Sequence, residues 1–396
     1  MTVIRVPRSR TAVGLLAATA VLALSTSAPA GAVPQPAQGG AETGYIVTLK
    51  GEPGALTSAV AKAQSRTLAS RYGARADHTY TEALHGFSTH MTKAEAALLA
   101  ADPSVAAVTP DREVTTSATQ PSPPSWGLDR IDQPDLPLDN SFSYPDTAGS
   151  DVTAYIIDTG VRISHQDFGG RASYGYDAID KDMTAADGHG HGTHVAGTVA
   201  GSSYGVAKQA DIVGVRVLDD SGSGTTSQVI AGIDWVTKNA SKPAVANMSL
   251  GGIADSALDE AVRNSVASGI TYAIAAGNSS APVSAYSPAR VGEAITVGAT
   301  QKNDAMAVYS NYGSGVDILA PGSSITSAWN TGDSASNTIS GTSMATPHVA
   351  GAAAVYLAGH RTAGPAQVSD ALTSAAASNK ISGNLFSPNL LLQITG

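Results

Sequence analysis

Short apolar runs, five or six residues long, recur through the last two thirds of this chain and alternate with longer segments of small residues. The runs at 152–157, 212–217, 244–249, 271–275 and 294–298 read as strands. They are almost continuously apolar, which suits strands covered on both faces of a parallel sheet. The segments at 191–201, 226–239, 254–268 and 343–358 read as helices. Strand–helix alternation of this kind predicts an α/β fold, a doubly wound and mainly parallel sheet.

The pattern is different from 44 to 114. A strand at 45–49 is followed by a helix over 55–72, with Leu56, Val60, Ala63 and Leu68 near helical spacing. Strands near 78–80 and 86–89, a helix over 93–101 and a strand at 105–108 complete a βαββαβ order. That order predicts a small α+β, ferredoxin-like domain. Residues 115–125 are Ser, Thr and Pro without core formers, and read as an extended, accessible linker before a large domain over 126–394.

The first residues form a third regime. Arg5, Arg8 and Arg10 precede an apolar run at 12–24, followed by small residues around Ala28 to Ala32. This is the pattern of a signal peptide over 1–32. The run is short for a permanent span, so the expected product is secreted, soluble and free of the membrane once the signal is removed. Of 396 residues 42% are hydrophobic and 14% charged, the balance of a large core. A net charge of −9 argues against nucleic-acid partners. With no cysteine in the sequence, packing must hold the framework.

Three segments carry candidate chemistry. Asp158-Thr159-Gly160 ends a predicted buried strand, at the sheet edge where open α/β folds bind ligands. Asp187-Gly188-His189-Gly190-His191-Gly192-Thr193-His194 runs from a Gly-rich loop into a helix. Gly341-Thr342-Ser343-Met344-Ala345-Thr346-Pro347-His348 puts a serine at a helix start, beside unpaired N–H groups that favour a developing oxyanion. Other readings fit less well. The three clustered histidines lack the Glu of H-E-x-x-H and any cysteine partner for zinc. Asp220-Ser221-Gly222 is a poor second copy of Asp158-Thr159-Gly160 for an aspartic dyad. Ala345 stands where a G-x-S-x-G elbow needs glycine.

In residue type, order and spacing these segments, with Asn247-Met248-Ser249-Leu250-Gly251 and Ala275-Ala276-Gly277-Asn278, resemble the signatures of subtilisin-like serine proteases, over about 126–392. Tyr204-Gly205-Val206-Ala207-Lys208 and 214–220 are similar to the proteinase K branch in particular. The resemblance implies that His191 rather than His189 or His194 is the base. Ser343 would attack a peptide carbonyl, His191 would carry its proton, and Asp158 would hold the imidazole. The Asn278 amide and the Ser343 N–H would bind the oxyanion. His194 and His348 are expected to make structural hydrogen bonds inside their helices.

By the same resemblance, Ser249, Leu250 and Gly251 and the loop around Gly224 would hold an extended peptide. A first specificity pocket would lie between them and 275–277, with Ala275 and Gly277 as small walls. The expected activity is broad endopeptidase cleavage after apolar residues. The 44–114 domain resembles an inhibitory propeptide, implying an autoprocessed zymogen cut between about 113 and 122, whose own propeptide is its partner and inhibitor. The mature enzyme is expected to be a monomer acting on polypeptides. No cofactor is expected for catalysis. A structural Ca²⁺ is implied at Asp317 with the carbonyls of Gly292 and Ala294, against the alternative that Asp317 only caps a turn.

Overall fold

The computed structural model describes residues 42–51, 57–111 and 117–394. The leader expected over 1–32 lies outside them. The chain divides into two compact units, meeting between Glu113 and Val114.

The first unit runs β1 (Thr43–Leu49), α1 (Ser58–Arg71), β2 (Ala76–Tyr80), β3 (Gly86–Met91), α2 (Lys93–Ala100) and β4 (Val105–Pro110). Its sheet is antiparallel in the order β2-β3-β1-β4, the ferredoxin-like arrangement. Val47, Leu49, Leu68, Phe87, Met91 and Leu99 form its core. The start of α2 is fixed by a capping box: Glu95 accepts from the Thr92 N–H at 2.8 Å, and Thr92 Oγ1 accepts from the Glu95 N–H at 3.3 Å.

The second unit opens with β5 (Ser117–Pro121), α3 (Trp126–Ile131), β6 (Ser141–Pro145), β7 (Thr153–Asp158) and β8 (Ala172–Asp177). It continues through α4 (His191–Ala200), β9 (Asp211–Arg216), α5 (Thr226–Asn239), β10 (Ala244–Met248), β11 (Gly252–Ile253), α6 (Ser256–Ala267), β12 (Thr271–Ala275), β13 (Tyr286–Ser287) and β14 (Ile295–Thr300). It closes with β15 (Ile318–Pro321), β16 (Ile325–Ala328), β17 (Ser336–Ile339), α7 (Thr342–Gly359), α8 (Pro365–Ala375), β18 (Ala377–Ser378) and β19 (Leu390–Leu391).

Strands β15-β14-β12-β10-β7-β9-β8 lie side by side and parallel. Strand β19 adds to β15 in parallel, and β18 pairs with β19 antiparallel. The chain leaves β7 toward β8 and β9 on one side, then returns to build β10 and the rest on the other. The strand order therefore reverses beside β7, which opens a crevice at its carboxyl end.

Each face of the sheet is covered. On one, α7 packs on β10, β12 and β14 and against α4, burying Val195, Val199, Met344 and Val349. On the other, α5 and α6 cover Ile157, Val215, Ile233, Val262 and Ile274. Each such side chain contributes roughly 1.5–3 kcal/mol by leaving water. Helix α7 is buried nearly all round, and Pro347 sits within it. No described helix is long and apolar enough to cross a membrane.

One expectation needs correction. The 115–125 segment is not a linker throughout, because Ser117–Pro121 pairs with Ser141–Pro145 as an antiparallel ribbon of the second unit. Backbone hydrogen bonds, not apolar burial, hold it there. The cysteine-free framework also has an ionic tie. The Arg130 guanidinium, 0% exposed, meets Asp304 in a fork, Nε to Oδ1 at 2.7 Å and Nη2 to Oδ2 at 3.0 Å. Removing one member of such a buried pair costs about 3–5 kcal/mol.

Candidate active site

Asp158 ends β7 at the crevice and is fully buried. Its Oδ1 accepts from the Thr159 N–H at 2.7 Å and lies 2.7 Å from Nδ1 of His191, the first residue of α4. That contact assigns the ring proton to Nδ1 and leaves Nε2 as an acceptor. The His191 side chain is 20% exposed. Burial disfavours its charged form, but the Asp158 charge and hydrogen bond, with Asp187 behind them, outweigh it and raise the imidazole above its usual range.

A carboxylate without a role in the sequence reading joins the two carriers. Asp187 Oδ1 accepts from Thr159 Oγ1 at 2.8 Å and from the N–H groups of His189 and Gly190 at 3.0 and 2.7 Å. Its Oδ2 accepts from Thr193 N at 2.9 Å and Thr193 Oγ1 at 2.5 Å. Thr159 Oγ1 in turn accepts from Gly192 N at 2.9 Å. The end of β7 and the start of α4 are thus pinned through one charged acceptor, which also satisfies orphan N–H groups of the helix.

Ser343 is the second residue of α7. Its N–H has no partner among the described residues, as expected at a helix start. Asn278 follows β12 and faces the same point. Its Oδ1 accepts from Thr342 N at 2.8 Å and Thr342 Oγ1 at 3.0 Å, and Thr342 Oγ1 accepts from Gly277 N at 3.1 Å. With Oδ1 held, Nδ2 is the end of the amide left to donate. A Cβ built on Gly341 would stand 3.4 Å from Asn278 Nδ2 and 3.6 Å from Ser343 N. The glycine hydrogen therefore opens a space between two unpaired donors, suited to a small anion or oxyanion.

The Ser343 hydroxyl donates to the Ser249 carbonyl at 3.1 Å rather than to the His191 ring, while Ser249 Oγ donates to the Ser343 carbonyl at 2.8 Å. Asn247 Nδ2 supports Ser249 Oγ at 2.9 Å. This reciprocal pair fixes the 249–251 segment against α7.

A cleft of about 430 Å³ opens beside these groups, lined by Thr159, His189, His191, Leu218, 221–224 and 249–251. It gathers Gly224, Ser249, Leu250 and Gly251 as the sequence reading has them. Ala275, buried, and Gly277 are not among its lining residues. His189, set aside as the base, is in the wall. His348 Nδ1 meets the Met344 carbonyl of its own helix at 2.9 Å. His194 differs from expectation: Nε2 crosses to the Ile325 carbonyl of β16 at 3.0 Å. Asp220 is tied to Arg216 at 2.8 Å. Asp317 stands away from this group. Burial pushes its carboxyl up to about 6, partly offset by the Thr296 N–H on Oδ2 at 2.8 Å.

Comparison with known proteins gives matches over both units. The Subtilase family model matches residues 149–389, and the Peptidase inhibitor I9 model matches 44–117. An extracellular serine proteinase of Thermus sp. (strain Rt41A) is 54% identical over 86% of this chain and 83% of its own. Proteinase T of Parengyodontium album is 51% identical over 62% of this chain and 84% of its own. A crystal structure of a cold adapted subtilisin-like serine proteinase is 55% identical, with a TM-score of 0.67, and covers 68% of this chain and 98% of its own.

Proposed function

This chain belongs to the subtilase family of serine proteinases and carries an inhibitor I9 domain, and on that premise we propose that it cleaves peptide bonds through Asp158, His191 and Ser343, with Asn278 as oxyanion donor. The observation that carries the reading is the 2.7 Å contact of His191 Nδ1 with the buried Asp158 carboxylate; the helix-start Ser343 and its two unpaired donors supply the other groups the reading needs.

In this reading a rotation about the Ser343 Cα–Cβ bond takes Oγ from the Ser249 carbonyl to His191 Nε2. Oγ then adds to the peptide carbonyl carbon as its proton passes to Nε2. The carbonyl electron pair moves onto oxygen, between Ser343 N–H and Asn278 Nδ2. Collapse of that adduct expels the amine, which takes the proton back from Nε2. Water repeats the sequence on the acyl-enzyme, and Asp158 stabilises the imidazolium in both halves. Peptide chains would lie against 249–251 and the Gly224 loop as an added strand. An apolar side chain before the cut would sit beside the 249–251 segment of the cleft.

The 44–114 domain would act as an intramolecular inhibitor, with 126–394 as the main body of the peptidase domain. Cleavage would fall between about 113 and 122, and the pairing of Ser117–Pro121 in its ribbon favours the bonds before Ser117. With the 1–32 leader, the product is secreted, as the Thermus relative is named extracellular. The half-buried Asp317 would supply one carboxylate of a Ca²⁺ site, with the carbonyls of Gly292 and Ala294 as the resemblance implies. That ion would brace loops and take no part in catalysis, and EDTA should then lower the melting temperature.

The test is hydrolysis of an apolar peptide anilide and of casein, with Ser343→Ala as control. A loss of about 10⁶ in kcat is the size known for the serine of a subtilisin, a member of the same family. Retention of most activity in Ser343→Ala would overturn the assignment, as would a mature N-terminus before residue 44 for the zymogen reading.

A further inference from the structure

We infer that Asn311 is a positioning residue for the oxyanion site: its buried amide holds the 276–281 loop in the shape that presents Asn278 beside the Ser343 N–H. The inference rests on the role of Asn278 proposed above.

Asn311 is 0% exposed and lies in the connection between β14 and β15. Its Nδ2 donates to the Ala276 carbonyl at 2.8 Å. Its Oδ1 accepts from the N–H groups of Ser279 and Ala281 at 3.0 and 3.1 Å. Its own N–H donates to the Gly277 carbonyl at 2.8 Å. These four bonds bracket Asn278 on both sides, over a stretch past the end of β12 whose other backbone bonds are Ala276 N–H to Val297 O of β14 and the pairing of 280–281 with 309–312. The fit is close. Gly277 has φ +104°, and a Cβ there would lie 2.4 Å from Asn311 Nδ2.

Two devices therefore locate one donor. Thr342 turns the Asn278 amide, and Asn311 holds the backbone that carries it. A carboxylate at 311 would keep the two acceptor contacts and lose the donor to Ala276. An alanine would lose all three side-chain bonds. Asn311 has no surface toward the cleft, so its effect on the reaction must run through Asn278.

The experiment compares kcat and KM on a peptide anilide for Asn311→Ala, Asn311→Asp, Asn278→Ala and the Asn278→Ala/Asn311→Ala pair. Each is produced as the full precursor and matured in trans. Both Asn311 variants should lose about 10- to 100-fold in kcat with KM within about twofold, a transition-state effect. In the Asn278→Ala background the further loss should shrink to about threefold or less, because coupled residues are not additive. A purely structural role would leave the two losses multiplying, and that result overturns the inference. So does kcat within about twofold of wild type in folded Asn311→Asp. Unfolding of Asn311→Asp would make the residue a scaffold of the fold and overturn it equally. If Asn278→Ala itself costs less than about tenfold, the oxyanion reading fails instead, a distinct outcome.

Discussion

Replacing Gly341 by alanine should leave the fold intact and disable the chemistry. The backbone at 341 is extended (φ 163°, ψ 164°), a conformation open to alanine. The methyl carbon would stand 3.4 Å from Asn278 Nδ2 and 3.6 Å from Ser343 N, in the space an oxyanion would use. Neither distance is a clash, so the free enzyme has little to relieve. Loss of glycine freedom in the unfolded chain can add about 0.4–1 kcal/mol of stability. The transition state fares differently, since its oxygen must come within about 2.7–3.1 Å of both donors. Losing one such donor costs a subtilisin, a member of the same family, about 3–4 kcal/mol. Displacement from both donors should cost at least as much, about 10²–10³ in kcat. The assay is the initial rate on a peptide anilide, using Gly341→Ala matured by tagged wild-type enzyme that is then removed, alongside urea unfolding. Unchanged unfolding with activity within about threefold of wild type would refute the placement of the oxyanion between these donors.

Three further outcomes are expected. Thr342→Val strands the Gly277 N–H and removes one of the two bonds on Asn278 Oδ1, leaving the Thr342 N–H, so stability should fall by about 1–3 kcal/mol and kcat by more than KM rises, read by urea unfolding and steady-state kinetics. The raised His191 imidazole should place the acid limb of kcat/KM above the ordinary histidine range, with activity lost as pH falls through it. Asp187→Asn, removing a negative charge nearby, should move that limb to lower pH, and a static limb would deny the electrostatic part of its role. Burial lowers His194 and His348 to about 4, so each is neutral in the fold. The unfolded chain takes up protons first, so their stabilisation is whole above about 6.5 and drains away as pH falls to about 4, up to roughly 3 kcal/mol per ring. In a Ser343→Ala background, the drop in urea midpoint from pH 7 to pH 5 should be smaller for His348→Asn.

Where an element is buried on both sides, its apolar run announces it. The expected strands and helices around Asp158, His191 and Ser343 all appear within a few residues of their bounds. Strand β8 (Ala-Ser-Tyr-Gly-Tyr-Asp) went unread because it lies at the edge of the sheet and alternates with polar residues. Strand β15 has four residues and ends in proline. The Ser117–Pro121 ribbon is polar, so only its partner at 141–145 reveals it. The same holds at the site. Asp158 and His191 stand in recognisable motifs, and their 2.7 Å contact follows from the sheet order. Asn311 sits between Ser310 and Tyr312 in a loop, with no local pattern to set it apart. Its meaning comes from carbonyl and N–H groups that folding brings to it from another segment. Asp187 was visible but mute, because five converging donors cannot be read from one carboxylate in a glycine-rich stretch.

The Arg130–Asp304 fork and the two-faced core do without sulfur the fastening that a cystine would otherwise supply. A reductant strong enough to open the cross-links of a toughened substrate finds none to open in this proteinase. It should therefore keep working on proteins while they are being chemically unlaced, under conditions in which a cystine-braced enzyme would itself loosen and become prey.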